Sequence, residues 1–133
     1  MKKLNLIMLI DDDTITNFLN EMVINEMGIT NQLIVTTDGH QALEEIMANQ
    51  GQGVLPDLIL LDVNMPVLNG FEFLKRYNEL DFPNKDFPLI VILTTSLNEG
   101  DRDKAKKLSV KDYMSKPLTK ENMLGLLQKH FNY

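Results

Sequence analysis

Asp62 ends the apolar run Leu58-Ile59-Leu60-Leu61 and is followed by Val63-Asn64-Met65-Pro66, so a carboxylate stands where a buried strand opens into a loop. The run Leu6-Ile7-Met8-Leu9-Ile10 ends the same way, in Asp11-Asp12-Asp13. Another apolar run, residues 89–93, gives way to the hydroxyls of Thr94, Thr95 and Ser96, and a shorter stretch at 112–115 gives way to Lys116-Pro117. If these ends meet, Asp11, Asp12, Asp62, Thr94 and Lys116 share one site. Carboxylates at close range repel one another, and their pKa values rise unless a cation compensates. Oxygen-only ligation suits Mg²⁺, which takes one or two carboxylates and keeps several waters. A lysine and a hydroxyl nearby are what an incoming phosphoryl group requires, because its transfer depends chiefly on positioning and charge neutralisation. Asp62 is then the natural nucleophile and an aspartyl phosphate its product.

The elements that must position these residues read as strand and helix in alternation. A strand at 6–10 precedes a helix in which Ile15, Phe18, Leu19, Met22 and Val23 recur at helical spacing until Gly28 closes it. A second strand at 32–36 leads to a helix marked by Ala42, Leu43, Ile46 and Met47, and Gln50-Gly51-Gln52-Gly53 follows as a loop. The strand at 58–61 has no alternating polar residue, the pattern of a strand buried on both faces. Asn69-Gly70 is a hairpin signal, but Phe71, Leu74 and Tyr77 at helical spacing make it the entry to a third helix. After a connector at 81–87 come the strand at 89–93, a helix at 99–108 with little apolar surface beyond Ala105 and Leu108, and the strand at 112–115. Thr119 caps a last helix whose Met123, Leu124, Leu126 and Leu127 are expected to face the core. Five strands alternating with five helices predict a parallel sheet covered on both faces, with right-handed crossovers and every strand's carboxyl end on one edge.

Bulk properties narrow the function. With 133 residues, one domain spanning 1–133 and no effector domain is expected. A net charge of −6 argues against nucleic-acid binding, and Lys104, Lys106, Lys107 and Lys111 interleave with Asp101, Asp103 and Asp112 as a solvated helix face does. The absence of cysteine excludes disulfides and thiolate chemistry. No apolar stretch is long enough to span a bilayer and the start is unlike a signal peptide, so no membrane association and a cytoplasmic location are expected. His40 and His130 have no ligand partners at metal spacing and read as surface residues without a role.

Taken in order along the chain, Leu9-Ile10-Asp11-Asp12, Leu61-Asp62-Val63-Asn64-Met65-Pro66 with Gly70, Leu93-Thr94, and Tyr113 ahead of Lys116-Pro117 resemble the receiver domain of two-component response regulators, in the stand-alone form of the chemotaxis regulators. The resemblance implies a doubly wound, flavodoxin-like α/β fold with five parallel strands in the order 2-1-3-4-5 and five flanking helices. It implies that Asp62 takes its phosphoryl group from a phosphohistidine of a histidine kinase or histidine phosphotransfer protein. Asp12, Asp62 and the backbone carbonyl of Asn64 would ligate Mg²⁺, with Asp11 acting directly or through water. Lys116 and Thr94 would hold phosphoryl oxygens, Tyr113 would act as the switch aromatic, and the bond before Pro117 is a candidate cis peptide. The surface of the fourth helix, fifth strand and fifth helix would then change its preference for an unidentified downstream protein. A monomer or weak dimer is expected.

Thr95 departs from the pattern, because the residue after the switch threonine is usually very small; its branched side chain is expected to crowd the phosphoryl pocket. The connections at 49–56 and 81–87 look longer than the family minimum and are expected to lie away from the site. Duller roles exist for single residues: Asp13 is expected only to cap a helix, and Tyr113 alone would pass for a core ring. Two other functions compete. A hydrolase of the haloacid-dehalogenase type also uses a strand-end aspartate, but places a second Asp two residues later, where this chain has Asn64. A docking pseudo-receiver usually lacks the aspartate, a metal ligand or the lysine, all of which are present.

Overall fold

The computed structural model describes residues 3–65, 68–95, 99–108 and 110–133; Pro66 and Ser96 lie outside the described residues. The strands are β1 (Leu4–Ile10), β2 (Thr30–Thr36), β3 (Leu58–Leu61), β4 (Leu89–Thr94) and β5 (Asp112–Ser115). They pair in parallel in the order β2-β1-β3-β4-β5. The helices α1 (Thr14–Met27), α2 (Gly39–Gln50), α3 (Gly70–Glu79), α4 (Glu99–Lys107) and α5 (Lys120–Phe131) form the crossovers and the last element.

The apolar runs carry both layers of the core. Alternate residues of one strand point to opposite faces. Met8, Ile10, Ile59, Leu61, Ile90 and Ile92 therefore pack with Ala42, Ile46, Phe73, Leu74 and Ala105 of α2, α3 and α4. Ile7, Leu9, Leu58, Leu60, Val91 and Leu93 pack with Ile24, Met123, Leu126 and Leu127 of α1 and α5. All of β3 is buried, as its unbroken apolar run requires. Truncating a central side chain such as Ile59 to Ala removes contacts on a fully covered face, a change that costs about 2–5 kcal/mol.

Register brings the strand ends together. Ile10 lies opposite Leu61, so Asp11 and Asp62 leave adjacent strands side by side. Thr94 lies opposite Ser115, which puts Lys116 next to it. Local chemistry fixes the following turns. Asp13 caps α1 by accepting from the Ile15 amide at 3.0 Å, and Gly28 ends that helix in the left-handed conformation at φ 61°. Asn69 and Glu72 form a reciprocal capping box at the start of α3, which confirms the helix over the hairpin. A Cβ on Gly70 would stand 2.7 Å from the Asp62 carbonyl oxygen, so only glycine lets α3 start this close to the strand end.

Two helices turn apolar side chains to solvent, and in the last one this departs from the expectation. Ile15, Phe18, Leu19 and Met22 are exposed, Phe18 by 61%, while α1 turns Asn17, Asn20 and Ile24 inward. In α5, Leu124 faces solvent while Met123, Leu126 and Leu127 are buried. His130 is not a free surface residue: its Nε2 lies 2.9 Å from Asp112 Oδ2, tying the end of α5 to the start of β5.

Candidate functional site

At the carboxyl edge of the sheet, carboxylate oxygens of Asp11, Asp12 and Asp62 all lie within 4.8 Å of one another. Asp11 and Asp62 are buried and Asp12 is exposed. The Lys116 ammonium stands 2.9 Å from Asp11 Oδ2 and 3.4 Å from Asp62 Oδ1, bridging the ends of β1 and β3 from the far side of the sheet. Backbone amides hold the acids in place. The Asp13 amide donates to Asp11 Oδ1 at 3.0 Å and the Asn64 amide to Asp62 Oδ1 at 3.2 Å.

Burial pushes the Asp62 carboxyl above the usual carboxylate range; the Asn64 amide opposes that, the Asp11 charge reinforces it and Lys116 opposes it again. Lys116 moves upward as well. Its burial disfavours the ammonium, but the hydrogen bond and charge of Asp11, followed by those of Asp62, more than compensate. Three carboxylates against one lysine leave the pocket with excess negative charge that Lys116 neutralises in part. The donors are all oxygens, the set a hard divalent cation prefers. The residues therefore fit a Mg²⁺ ion, with Asp11, Asp12 and Asp62 as the carboxylates and the main chain at Asn64 adjoining them.

The remaining predicted residues lie around this centre. Thr94 is buried at the end of β4, and its carbonyl accepts from the Lys116 amide at 2.8 Å. Thr95 is exposed and, with Lys116, Pro117 and Leu118, faces Leu19 and Met22 of α1 across a cavity of about 540 Å³. The Lys116–Pro117 peptide bond is cis. Tyr113 sits apart from the carboxylates. Its hydroxyl donates to the Arg102 carbonyl on α4 at 3.2 Å, and the Arg102 guanidinium lies 5.8 Å from the ring centre. Both long connections meet at the opposite edge of the sheet, away from the acids, where Val54, Leu55, Pro83 and Phe87 border one cavity.

Reading the sequence missed Asn17 and Asn20. Both are buried beneath the acidic cluster, and the Asn17 side-chain amide donates to the Asp11 carbonyl at 2.7 Å. Nothing in the sequence set them apart, because two amides three residues apart opposite an apolar stripe have the pattern of an ordinary solvated face.

The same frame recurs in known proteins. The family model of the response regulator receiver domain matches residues 7–128. A two-component response regulator from Cytophaga hutchinsonii superposes with a TM-score of 0.89 at 32% identity, over 99% of this chain and 100% of that one. The chemotaxis protein CheY4 of Vibrio cholerae gives 0.76 at 27% identity, over 94% and 97% of the two chains. Two-component response regulator 24 of Arabidopsis thaliana is 30% identical over 122 residues, covering 92% of this chain and 81% of that protein. A match of this extent, on a sheet of the same strand order, makes the chain a member of the response-regulator receiver family.

Proposed function

We propose that Asp62 accepts a phosphoryl group from a phosphohistidine of a histidine kinase or phosphotransfer protein, with Asp11, Asp12, Asp62 and the Asn64 carbonyl holding Mg²⁺. One observation carries this reading: a lysine ammonium lies within 3.4 Å of a buried strand-end carboxylate that also belongs to an all-oxygen cluster. An Asp62 oxygen attacks phosphorus, the phosphorus–nitrogen bond breaks, and the freed imidazole nitrogen takes up a proton. Bound Mg²⁺ supplies positive charge beside the transferred oxygens. Lys116 binds one phosphoryl oxygen and Thr94 donates its hydroxyl to another. Tyr113 then changes its packing against α4, and the surface of α4, β5 and α5 alters its preference for a downstream protein. Phosphomonoester turnover is not expected, since Asn64 offers no general acid.

The exposed face of α1 supports a protein as the donor. Leu19 and Met22 border the same cavity as Lys116, the ion-pair partner of Asp62, so a protein donor seated over that lysine would cover them. An apolar patch of Ile15, Phe18, Leu19 and Met22 beside a charged pocket suits a partner with an apolar rim around its phosphohistidine.

Incubation with acetyl phosphate and Mg²⁺ tests the chemistry. The expected result is one acid-stable, base-labile label on Asp62 that is absent from Asp62→Asn. A label elsewhere, or none, overturns the proposal.

A further inference from the structure

Helix α1 is built against the usual rule: it exposes Ile15, Phe18, Leu19 and Met22 and buries Asn17 and Asn20 to 4% and 5% exposure. A half-turn rotation would bury the apolar stripe and solvate the amides but would expose Ile24. Core packing at Ile24 therefore holds the far part of the helix in this phase, while the polar contacts act at its start. The Asp13 cap fixes where α1 starts. Asn17, in the first turn, makes the contact that reaches the site, with its Nδ2 donating to the Asp11 carbonyl at 2.7 Å.

Asn17 Oδ1 is buried and has no hydrogen-bond partner among the described residues. An amide selected only for packing would be replaced with gain by an apolar residue, because an unpaired buried acceptor is costly. Here one end is left unsatisfied while the other grips the main chain of a carboxylate in the cluster. Asn17 and Asn20 also line the small void under Asp11 and Asp62. Asp11 is thereby held at three points: its carbonyl by Asn17, Oδ1 by the Asp13 amide and Oδ2 by Lys116.

We propose that Asn17 is a positioning residue for the divalent-cation site, which fixes the backbone at Asp11 so that the Asp11 and Asp12 carboxylates are already in place when Mg²⁺ arrives. The inference rests on reading the acidic cluster as the Mg²⁺ site of an Asp62 phosphoacceptor. Groups that orient metal ligands from behind contribute about 10–100-fold in affinity. A tether on the main chain rather than on a ligand atom is expected at the lower end, about tenfold.

The experiment is a Mg²⁺ titration followed by proton–nitrogen NMR at the Asp13 and Asn64 amides, well below the melting temperature. Asn17→Leu removes the donor while keeping the branched shape and the number of side-chain heavy atoms, and Asn17→Ala removes it without adding bulk. Ile24→Val is the control, a truncation at a buried position two turns further along α1. Both Asn17 variants are expected to bind Mg²⁺ about tenfold more weakly. Ile24→Val lowers the melting temperature and leaves Mg²⁺ affinity unchanged. Affinity within about twofold of wild type for a folded Asn17 variant overturns the proposal. So does equal weakening in Ile24→Val, which would mark general loosening of the helix.

A wild-type measurement covers the case in which neither Asn17 variant folds. The Asn17 side-chain amide protons are expected to be protected from solvent exchange and to shift on Mg²⁺ addition; rapid exchange without a shift overturns the role. Acetyl phosphate labelling separates this inference from its parent. Weak Mg²⁺ binding by Asn17→Leu together with an unlabelled wild type sinks the phosphoacceptor reading and leaves the positioning role standing. Normal labelling with unchanged affinity sinks the positioning role alone.

Discussion

At the residue scale, Asp62 shows how a buried strand-end carboxylate is kept at a cost to the fold. Its pKa is raised from 3.8 by burial and by Asp11, so the native state binds a proton there more tightly than the unfolded chain does. The charged form therefore opposes folding at neutral pH, and the penalty fades as pH falls through the raised pKa. Asp62→Asn is expected to raise stability at neutral pH by roughly 1 kcal/mol, or about 4 °C in Tm, with the gain disappearing in acid; thermal melts at several pH values measure it. Lys116 acts with the opposite sign: its raised pKa stabilises the fold below the ordinary lysine range, and that stabilisation is lost as pH rises through the raised value. Thr95 stands exposed beside Lys116 at the mouth of the pocket. We expect Thr95→Ala to exchange its phosphoryl group faster than wild type, so equal acyl-phosphate lifetimes would remove any role for the branched side chain. Asp62 and Asp11 were legible because each terminates an apolar run and Lys116 because it follows the last short strand, and a parallel sheet sends all such ends to one edge. Asn17 was not, since an asparagine inside a helix ordinarily means a solvated face.

At the element scale, the strands followed from sequence more faithfully than the helices. A continuous apolar run such as residues 58–61 has one economical placement, the middle of a covered sheet, and β3 occupies it. Ile15, Phe18, Leu19 and Met22 carry the periodicity of a core-facing stripe, yet they face outward. Periodicity reports that a helix has an apolar face and is silent on what covers it. For α1 the inner side is taken by amides beneath the acidic cluster, which leaves the apolar face available to a partner. Phe18→Ser accordingly belongs to function rather than to folding. Because the ring is 61% exposed, its loss is expected to change stability by no more than about 0.5 kcal/mol. Phosphoryl transfer from a phosphohistidine protein is expected to slow about tenfold or more, while labelling by acetyl phosphate, which needs no docking, stays unchanged. An equal loss with both donors would place the defect in the pocket itself. His130 carries a related lesson: its partner, Asp112, lies 18 residues earlier, on the neighbouring strand, so no local spacing announced the pair. Burial raises the Asp112 pKa, but the His130, Tyr113 and Lys129 contacts outweigh it, so this tie between β5 and α5 holds above the ordinary aspartate range and loosens as acid protonates it.

At the scale of the whole molecule, the fold concentrates repulsion in one place and spreads its compensation through the core. Two covered sheet faces hold together a carboxyl edge at which Asp11, Asp12 and Asp62 converge, in a chain whose net charge is already −6. Lys116 offsets only part of that excess, so a divalent cation should stabilise the entire domain as well as serve the site. A ligand that binds only the native state adds RT ln(1 + [L]/Kd), which is roughly 1.4 kcal/mol at about tenfold excess over Kd and about 5 °C in Tm for a chain of this size. Mg²⁺ is expected to raise Tm by that order, and chelation with EDTA to reverse it. Asp12→Ala should abolish the gain with little effect on the metal-free Tm, because Asp12 is exposed and stands outside the core. The sign with pH follows from the ligands. Protonated carboxylates do not ligate, and burial raises the Asp62 pKa above the ordinary aspartate range, so the Mg²⁺ gain should begin to shrink on acidification at a higher pH than an ordinary aspartate would allow. A metal-independent Tm would mean that Lys116 and the backbone amides already satisfy the cluster. A gain that survives Asp12→Ala would mean that the ion sits elsewhere on this acidic surface.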